Sequence, residues 1–172
     1  DFSIKLWNSS TGRFIQDYRF HKDWVFGVES DKEEKLLVSS SEDGTAKVFT
    51  LNSGRGISIL SNRNWGINQA IFIHQGKLVV TAGDDGMLGI WNTNTGQLIE
   101  QYFSHPGWIL DVAASPDNRL LVTGSDDKLV RLWNIKERKE VFTAKGHLDW
   151  VNDVDFSPEG KRFVSASKDG SF

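Results

Sequence analysis

The chain has 172 residues, with 20 Lys and Arg against 23 Asp and Glu, a net charge of −3 and no cysteine. Its 38% hydrophobic and 25% charged residues are typical of a globular domain and exclude disordered and collagen-like chains. The lack of cysteine excludes disulfides, thiolate metal sites and cysteine nucleophiles, and it fits an intracellular protein, cytoplasmic or nuclear. Because Lys and Arg are dispersed and the balance is slightly acidic, we expect neither nucleic-acid nor membrane binding.

The predicted elements are short β-strands throughout. Apolar residues alternate in short runs that turn signals separate, and no helical periodicity competes with them. The first unit holds two strands, the next three units hold four strands each, and the last unit holds two. In chain order, the units are 1–20, about 21–62, 63–104 and 105–146, and 147–172. The two incomplete units contain the predicted strands Ser3–Trp7 with Arg13–Tyr18, and Val151–Phe156 with Arg162–Ala166.

A period of 42 residues runs along the whole chain without an insertion, and it recurs in four columns of related residues. Asp-Gly pairs such as Asp43-Gly44 mark tight hairpins, because glycine accepts the positive φ of these turns. The columns are Asp1, Asp43, Asp85, Asp127 and Asp169; Trp7, Phe49, Trp91 and Trp133; Ser39, Thr81, Thr123 and Ser165; and His21, Arg63, His105 and His147. Each complete period therefore predicts one four-stranded antiparallel sheet.

Several motifs resemble the WD-repeat β-propeller family: Gly146-His147, Ser157-Pro158, Ser165-Ala166-Ser167, and Asp127 through Leu132-Trp133-Asn134. A period of 40 to 45 residues with Gly-His and Trp-Asp columns is diagnostic of that architecture. The resemblance implies an all-β fold of propeller blades, here three complete blades and two complementary half-blades. Phe49 and Arg63 depart from the Trp and His columns.

The His, Ser or Thr and Asp columns could be interpreted as a nucleophilic triad, since acyl transfer needs these three groups. An active site is not normally repeated in every unit, however, and a nucleophile would not alternate between Ser and Thr. In the family that the chain resembles, these positions form a buried hydrogen-bonded chain that satisfies polar groups. The predicted structural network is His21, Ser39, Asp43, Thr81, Asp85, Trp91, His105, Thr123, Asp127, Trp133, His147, Ser165 and Asp169. We therefore expect no catalytic residue.

Metal and cofactor sites are not expected either. The four histidines lie far apart in the sequence, and without cysteine they give no zinc spacing. The glycines fall at turns rather than in a loop that could hold a phosphate group.

Four tryptophans precede the first strands of their units, where a propeller opens toward its top face, and they are candidate partner contacts: Trp24, Trp65, Trp108 and Trp150. Packing against the neighbouring blade is an equally good interpretation of each ring. Residues before the turn aspartates should reach the same face, namely Glu42, Asp84, Asp126 and Lys168. Together with Asp23 and Asp149 they make this rim mostly acidic, which favours a basic and apolar partner segment. Phosphopeptide binding is less favoured, because it needs clustered arginines and only Arg63, Lys22 and Lys168 are available.

The two half-blades are complementary, so they could close a four-bladed ring or, exchanged between two chains, an eight-bladed ring. Because the sequence starts at Asp1 rather than at Met, we favour a segment of a larger propeller, in a longer chain or a multi-protein complex. The predicted function is a non-catalytic scaffold that binds a partner protein or peptide on its top face. The alternative is a sensor or autoinhibitory module within a larger signalling protein.

Overall fold

The computed structural model describes residues 2–62 and 64–171, in which every regular element is a β-strand. The incomplete units contribute β1 (Ile4–Trp7), β2 (Phe14–Tyr18), β15 (Val151–Phe156) and β16 (Phe163–Ser167). The complete units contribute β3 (Val25–Ser30), β4 (Leu36–Ser41), β5 (Thr45–Thr50), β6 (Gly56–Ser61), β7 (Ile67–Ile73), β8 (Leu78–Gly83), β9 (Met87–Asn92), β10 (Leu98–Phe103), β11 (Ile109–Ala114), β12 (Leu120–Ser125), β13 (Val130–Asn134) and β14 (Lys139–Ala144). None of the described residues belongs to a helix that could cross a membrane.

The strands form three four-stranded antiparallel sheets, each in simple sequence order: β3 to β6, β7 to β10, and β11 to β14. Two-stranded sheets, β1 with β2 and β15 with β16, stand at the two ends of the series. The predicted all-β fold of four-stranded blades is therefore confirmed.

The core lies between neighbouring sheets rather than inside any one of them. Val38 of β4 and Val79 of β8, for example, belong to one buried cluster, and Val122 of β12 and Val154 of β15 to another. Tyr18 of β2 packs in the same way against the sheet of β4 and β5. Since each sheet covers one face of the next, the successive contacts of β3, β7, β11 and β15 place these four strands on the inside of one continuous arc.

The two end sheets do not pair with each other in the described part of the chain, so the arc is open. Trp7 illustrates the consequence, since its side chain is 55% exposed whereas Trp91 and Trp133, in the same column, are 6% exposed. Trp7 therefore does not share the burial of the other tryptophans in its column. The strand that would carry its hydroxyl partner is missing from the sheet of β1 and β2, and Trp7 contacts Phe14 edge-on instead.

Candidate protein-interaction surface

The predicted polar network is most complete in the third blade, where Thr123 is its central residue. His105 Nε2 lies 2.7 Å from Thr123 Oγ1, and Trp133 Nε1 donates to the same hydroxyl at 3.3 Å. His105 Nδ1 lies 3.0 Å from Asp127 Oδ2. An indole only donates and a carboxylate only accepts, so the hydrogen bonds run in one direction, from Trp133 through Thr123 to His105 and on to Asp127.

The other units repeat parts of this arrangement. In the first complete unit, His21 Nε2 lies 2.7 Å from Ser39 Oγ and His21 Nδ1 lies 2.9 Å from Asp43 Oδ2. In the last unit, His147 Nε2 lies 2.8 Å from Ser165 Oγ and His147 Nδ1 lies 3.2 Å from Asp169 Oδ2. In the second blade Trp91 Nε1 donates to Thr81 Oγ1 at 2.8 Å, while Asp85 accepts from the amide of Met87. Arg63 and Asp1, which belong to the same columns, lie outside the described residues.

Two hydroxyls of the network are enclosed by the fold. Ser39 and Thr123 are fully buried, so neither hydroxyl can reach a molecule in solution. Burial lowers the pKa of the imidazoles of His21 and His105, which favours the neutral form of both rings. Burial acts to raise the pKa of Asp43, but hydrogen bonds from Thr45, the Lys22 amide and His21 lower it to about 2.

Arg131 is a member of the third network that the sequence analysis missed. Its Nη1 donates to the carbonyl of Ser104 at 2.9 Å and to Asp127 Oδ2 at 3.0 Å. The equivalent positions in the preceding blades are Gly89 and Lys47, so the arginine does not recur with the 42-residue period and could not be recognised from it.

The top face is the side of the arc that carries the turns after the second strands and the residues before the first strands. The same backbone hydrogen bond holds it in each unit: the amides of Glu42, Asp84, Asp126 and Lys168 donate to the carbonyls of Trp24, Gly66, Trp108 and Trp150 at 2.9 to 3.2 Å. The side chains on this face therefore project from a repeated, hydrogen-bonded frame.

A depression in this face, here called the top depression, is lined by three tryptophans, three carboxylates and three other residues: Trp24, Trp108 and Trp150; Asp23, Glu42 and Asp84; Phe26, Asn68 and Leu110. The tryptophan rings remain between 37% and 66% exposed. Of the four candidate tryptophans and the acidic residues Glu42, Asp84 and Asp126, five thus come together here. The other two, Trp65 and Asp126, lie outside the depression, although Trp65 is 53% exposed.

Phe26, Asn68 and Leu110 enter the depression because the first strand of each sheet carries a β-bulge. The pairing register shifts at the same place in each, between Val25 and Gly27 and at the equivalent positions, which leaves the residue in between unpaired. A bulge redirects the side chain of its extra residue. The sequence analysis missed these residues, since a register shift has no mark in composition.

Gly66 interrupts the ring of tryptophans. It stands 42 residues from both Trp24 and Trp108, so the second blade has no side chain where its neighbours carry an indole. A Cβ at Gly66 would lie 2.7 Å from Glu42 Oε2 and 3.0 Å from Asp84 Oδ2. Two carboxylates therefore occupy the gap, here called the acidic notch. The 42-residue period could have revealed this notch.

The electrostatics of the acidic notch are unfavourable for its two carboxylates. Burial, followed by repulsion from Asp84 and Asp23, raises the pKa of Glu42. Burial also raises the pKa of Asp84, although Asn68 Nδ2 donates to Asp84 Oδ1 at 2.9 Å. A cation placed between the two carboxylates would relieve this repulsion.

Part of the depression is aromatic. The rings of Trp108 and Trp150 meet edge to face with centroids 6.1 Å apart, and Lys168 Nζ lies 4.6 Å from the centroid of Trp150. Of the basic residues considered for a phosphopeptide, Lys168 lies over an indole ring, and Arg63 lies outside the described residues. The arrangement favours a cationic and apolar ligand over an anion.

Parts of the chain resemble characterised proteins. It is 39% identical over 49 residues to the angio-associated migratory cell protein of Homo sapiens, covering 28% of this chain and 11% of that protein. It is 38% identical over 58 residues to Protein HIR1 of Eremothecium gossypii, which covers 34% of this chain and 7% of that protein. It is 23% identical over 73 residues to the nuclear distribution protein PAC1 of Komagataella phaffii, which covers 42% of this chain and 15% of that protein. The aligned stretches thus span about a tenth of the length of these relatives.

A family comparison covers most of the chain in four successive matches, over residues 12–50, 56–92, 96–134 and 138–172. Each match ends on or just after a third strand, or at the end of the chain, so the matches follow the structural period. The chain belongs to the WD40 family, described as WD domain, G-beta repeat.

Proposed function

We propose that the chain is a non-catalytic interaction scaffold that binds a segment of a partner protein in the top depression. The observation that carries the proposal is the set of three exposed tryptophans, Trp24, Trp108 and Trp150, around one concave surface. Exposed rings of this size are costly to leave in water, and they are the commonest anchors of protein interfaces. Repeat architectures hold such rings on rigid elements, so a partner loses little entropy in ordering them.

The test is a selection of peptides from a phage-displayed random library on the immobilised chain. Selected peptides are synthesised and titrated against the wild type and against Trp24→Ala and Trp108→Ala. Trp65→Ala is the matched control, because Trp65 is equally exposed but lies outside the depression. We expect at least about tenfold weaker binding to the first two variants and unchanged binding to the control.

Two results would overturn the proposal: no selected peptide, or peptides that lose affinity on Trp65→Ala but not on Trp24→Ala and Trp108→Ala. Denaturation curves of the variants show whether a loss of affinity reflects the lost contact or a destabilised fold. A role as a regulatory module of a larger protein uses the same surface, with the ligand segment in the same polypeptide. It is favoured if a segment of the same polypeptide competes with the selected peptides.

A further inference from the structure

We propose that the acidic notch receives a lysine side chain of the partner, with its ammonium group between Glu42 and Asp84 and its aliphatic stem along Trp24 and Trp108. This inference rests on the proposed function, because it names the side chain that the top depression recognises. Lysine combines an apolar stem of four methylene groups with a compact cationic head, and both parts find complementary surface here.

The first argument is the shape of the notch. In the other described units the position before the first strand carries Trp24, Trp108 or Trp150, whereas at Gly66 two carboxylates take the place of a side chain. The carboxylates of Glu42 and Asp84 both reach toward this position. Both carboxylates line the same depression as Trp24 and Trp108, so negative charge and indole rings meet on one concave surface.

The second argument is that the carboxylates have free acceptor capacity. Asn68 occupies Asp84 Oδ1, which leaves Oδ2 directed toward Gly66. Among the residues that the structure describes, none donates a hydrogen bond to the Glu42 carboxylate, and no Lys or Arg forms an ion pair with Glu42 or Asp84. An ammonium group carries three donors, so it can serve both carboxylates at once.

The third argument is a lysine already placed on this surface. Lys168 stands in the column of Glu42, Asp84 and Asp126, and its Nζ lies over the Trp150 ring at 4.6 Å. It does not reach a carboxylate of the notch. Lys168 therefore shows the contact of an ammonium with an indole of the depression while leaving the notch to a ligand.

The carboxylates also determine which cation is preferred. A trimethylated lysine keeps its charge and its attraction to the indoles but has no N–H to donate to Glu42 and Asp84. We therefore expect unmodified lysine to bind better than trimethyl-lysine. Norleucine, which keeps the stem and lacks the ammonium, should bind weakest.

The experiment titrates blocked Gly-Ala-Lys-Ala-Gly peptides against the chain and follows the indole N–H signals by NMR. Companion peptides carry norleucine, trimethyl-lysine or arginine in place of lysine. We expect the norleucine peptide to bind about tenfold more weakly than the lysine peptide, and added salt to reduce this difference. A norleucine peptide that binds as well as the lysine peptide would overturn the inference, and so would a trimethyl-lysine or arginine peptide that binds more tightly.

Variants of the notch test the site itself. Glu42→Gln with Asp84→Asn should remove the preference for lysine over norleucine, and Gly66→Trp should weaken it, because the new side chain displaces both carboxylates while keeping their charges. Asp126→Asn, an acidic residue of the same column outside the depression, is the control that should keep the preference. If Gly66→Trp fails to fold, the variant with Glu42→Gln and Asp84→Asn is a sufficient test. An unchanged preference of that variant for lysine over norleucine rejects the inference.

The two proposals fail separately. Library peptides that depend on Trp24 and Trp108 but not on Glu42 and Asp84 would leave the scaffold function standing and reject the lysine site. A lysine preference that depends on the notch, without any library peptide bound in the depression, would support the lysine site and reject the binding of a longer partner segment.

Discussion

At the scale of single residues, the hydroxyl of Thr123 on β12 connects Trp133 on β13 with His105 in the loop before β11. It accepts from Trp133 Nε1 and lies 2.7 Å from His105 Nε2, in a fully buried position. Thr123→Val keeps the volume and removes both hydrogen bonds, which leaves two buried polar groups unsatisfied. We expect a loss of about 1 to 3 kcal/mol in the free energy of unfolding, measured by urea denaturation.

Ser165→Ala is the matched comparison for this prediction. Ser165 stands in the same column and contacts His147 in the same way, but it is only half-buried and water can replace its hydroxyl. The loss should therefore be under about 1 kcal/mol. Equal losses at the two positions would show that burial of the network does not control its contribution.

Glu29 gives the fold a pH dependence of its own. Burial, opposed by a backbone hydrogen bond from Phe72 and reinforced by Asp111 and Asp155, raises its pKa from 4.5 to about 7. Between these two values the folded state binds more protons than the unfolded state, so Glu29 makes stability fall as the pH rises through this window. Glu29→Gln should remove the effect, since an amide can still accept the hydrogen bond without a charge.

The variant should be more stable than the wild type by about 1 to 2 kcal/mol above about pH 8, and equally stable near about pH 4. Guanidinium denaturation at the two pH values measures the difference. A variant less stable than the wild type at the higher pH would mean that the charged carboxylate contributes a favourable interaction there.

At the scale of elements, two hairpin turns with the same Asp-Gly pair have different steric demands. Gly44 and Gly86 follow Asp43 and Asp85 and have φ values of +76° and +68°. A Cβ at Gly44 would meet nothing closer than 3.4 Å, whereas a Cβ at Gly86 would lie 2.1 Å from the carbonyl oxygen of His105. We expect Gly44→Ala to cost about 1 kcal/mol, from backbone strain alone, and Gly86→Ala about 3 kcal/mol or more.

Thermal unfolding of the two alanine variants measures this contrast. Lys128 occupies the equivalent turn position in the third blade with a φ of +72°, so positive φ by itself is tolerated. If Gly44→Ala and Gly86→Ala are equally destabilising, backbone strain rather than the approach of the His105 carbonyl sets the cost.

The strands of the fold could be predicted from the sequence, whereas several residues of the top depression could not. The strands and the columns follow from a period without insertions, because each blade must repeat the burial pattern of the last. The bulge residues Phe26, Asn68 and Leu110 could not be predicted, since a shift in hydrogen-bond register has no fixed residue type. Gly66 was recognisable by its column, but its importance depends on where Glu42 and Asp84 point, which only the structure shows.

At the scale of the whole molecule, the arc exposes apolar residues at both ends. Val164 is 66% exposed, whereas Val38, Val80 and Val122 in its column are fully buried. At the other end Val28 is 51% exposed, while the equivalent residues of later blades are buried. In the interior of the arc a neighbouring sheet covers these positions, and at the ends no sheet does. Unpaired edges beside uncovered apolar faces promote association between chains.

A polypeptide of these 172 residues should therefore have a molar mass that increases with concentration in multi-angle light scattering. Val164→Lys and Val28→Lys should shift it toward the monomer without lowering the unfolding temperature, because both side chains are already exposed. Ile59→Lys is the matched control: Ile59 is 62% exposed on the outer strand β6, away from either end, and its substitution should leave the mass unchanged. A monomer at all concentrations in the wild type would show that the end faces do not recruit a second chain, and that the open arc is stable by itself.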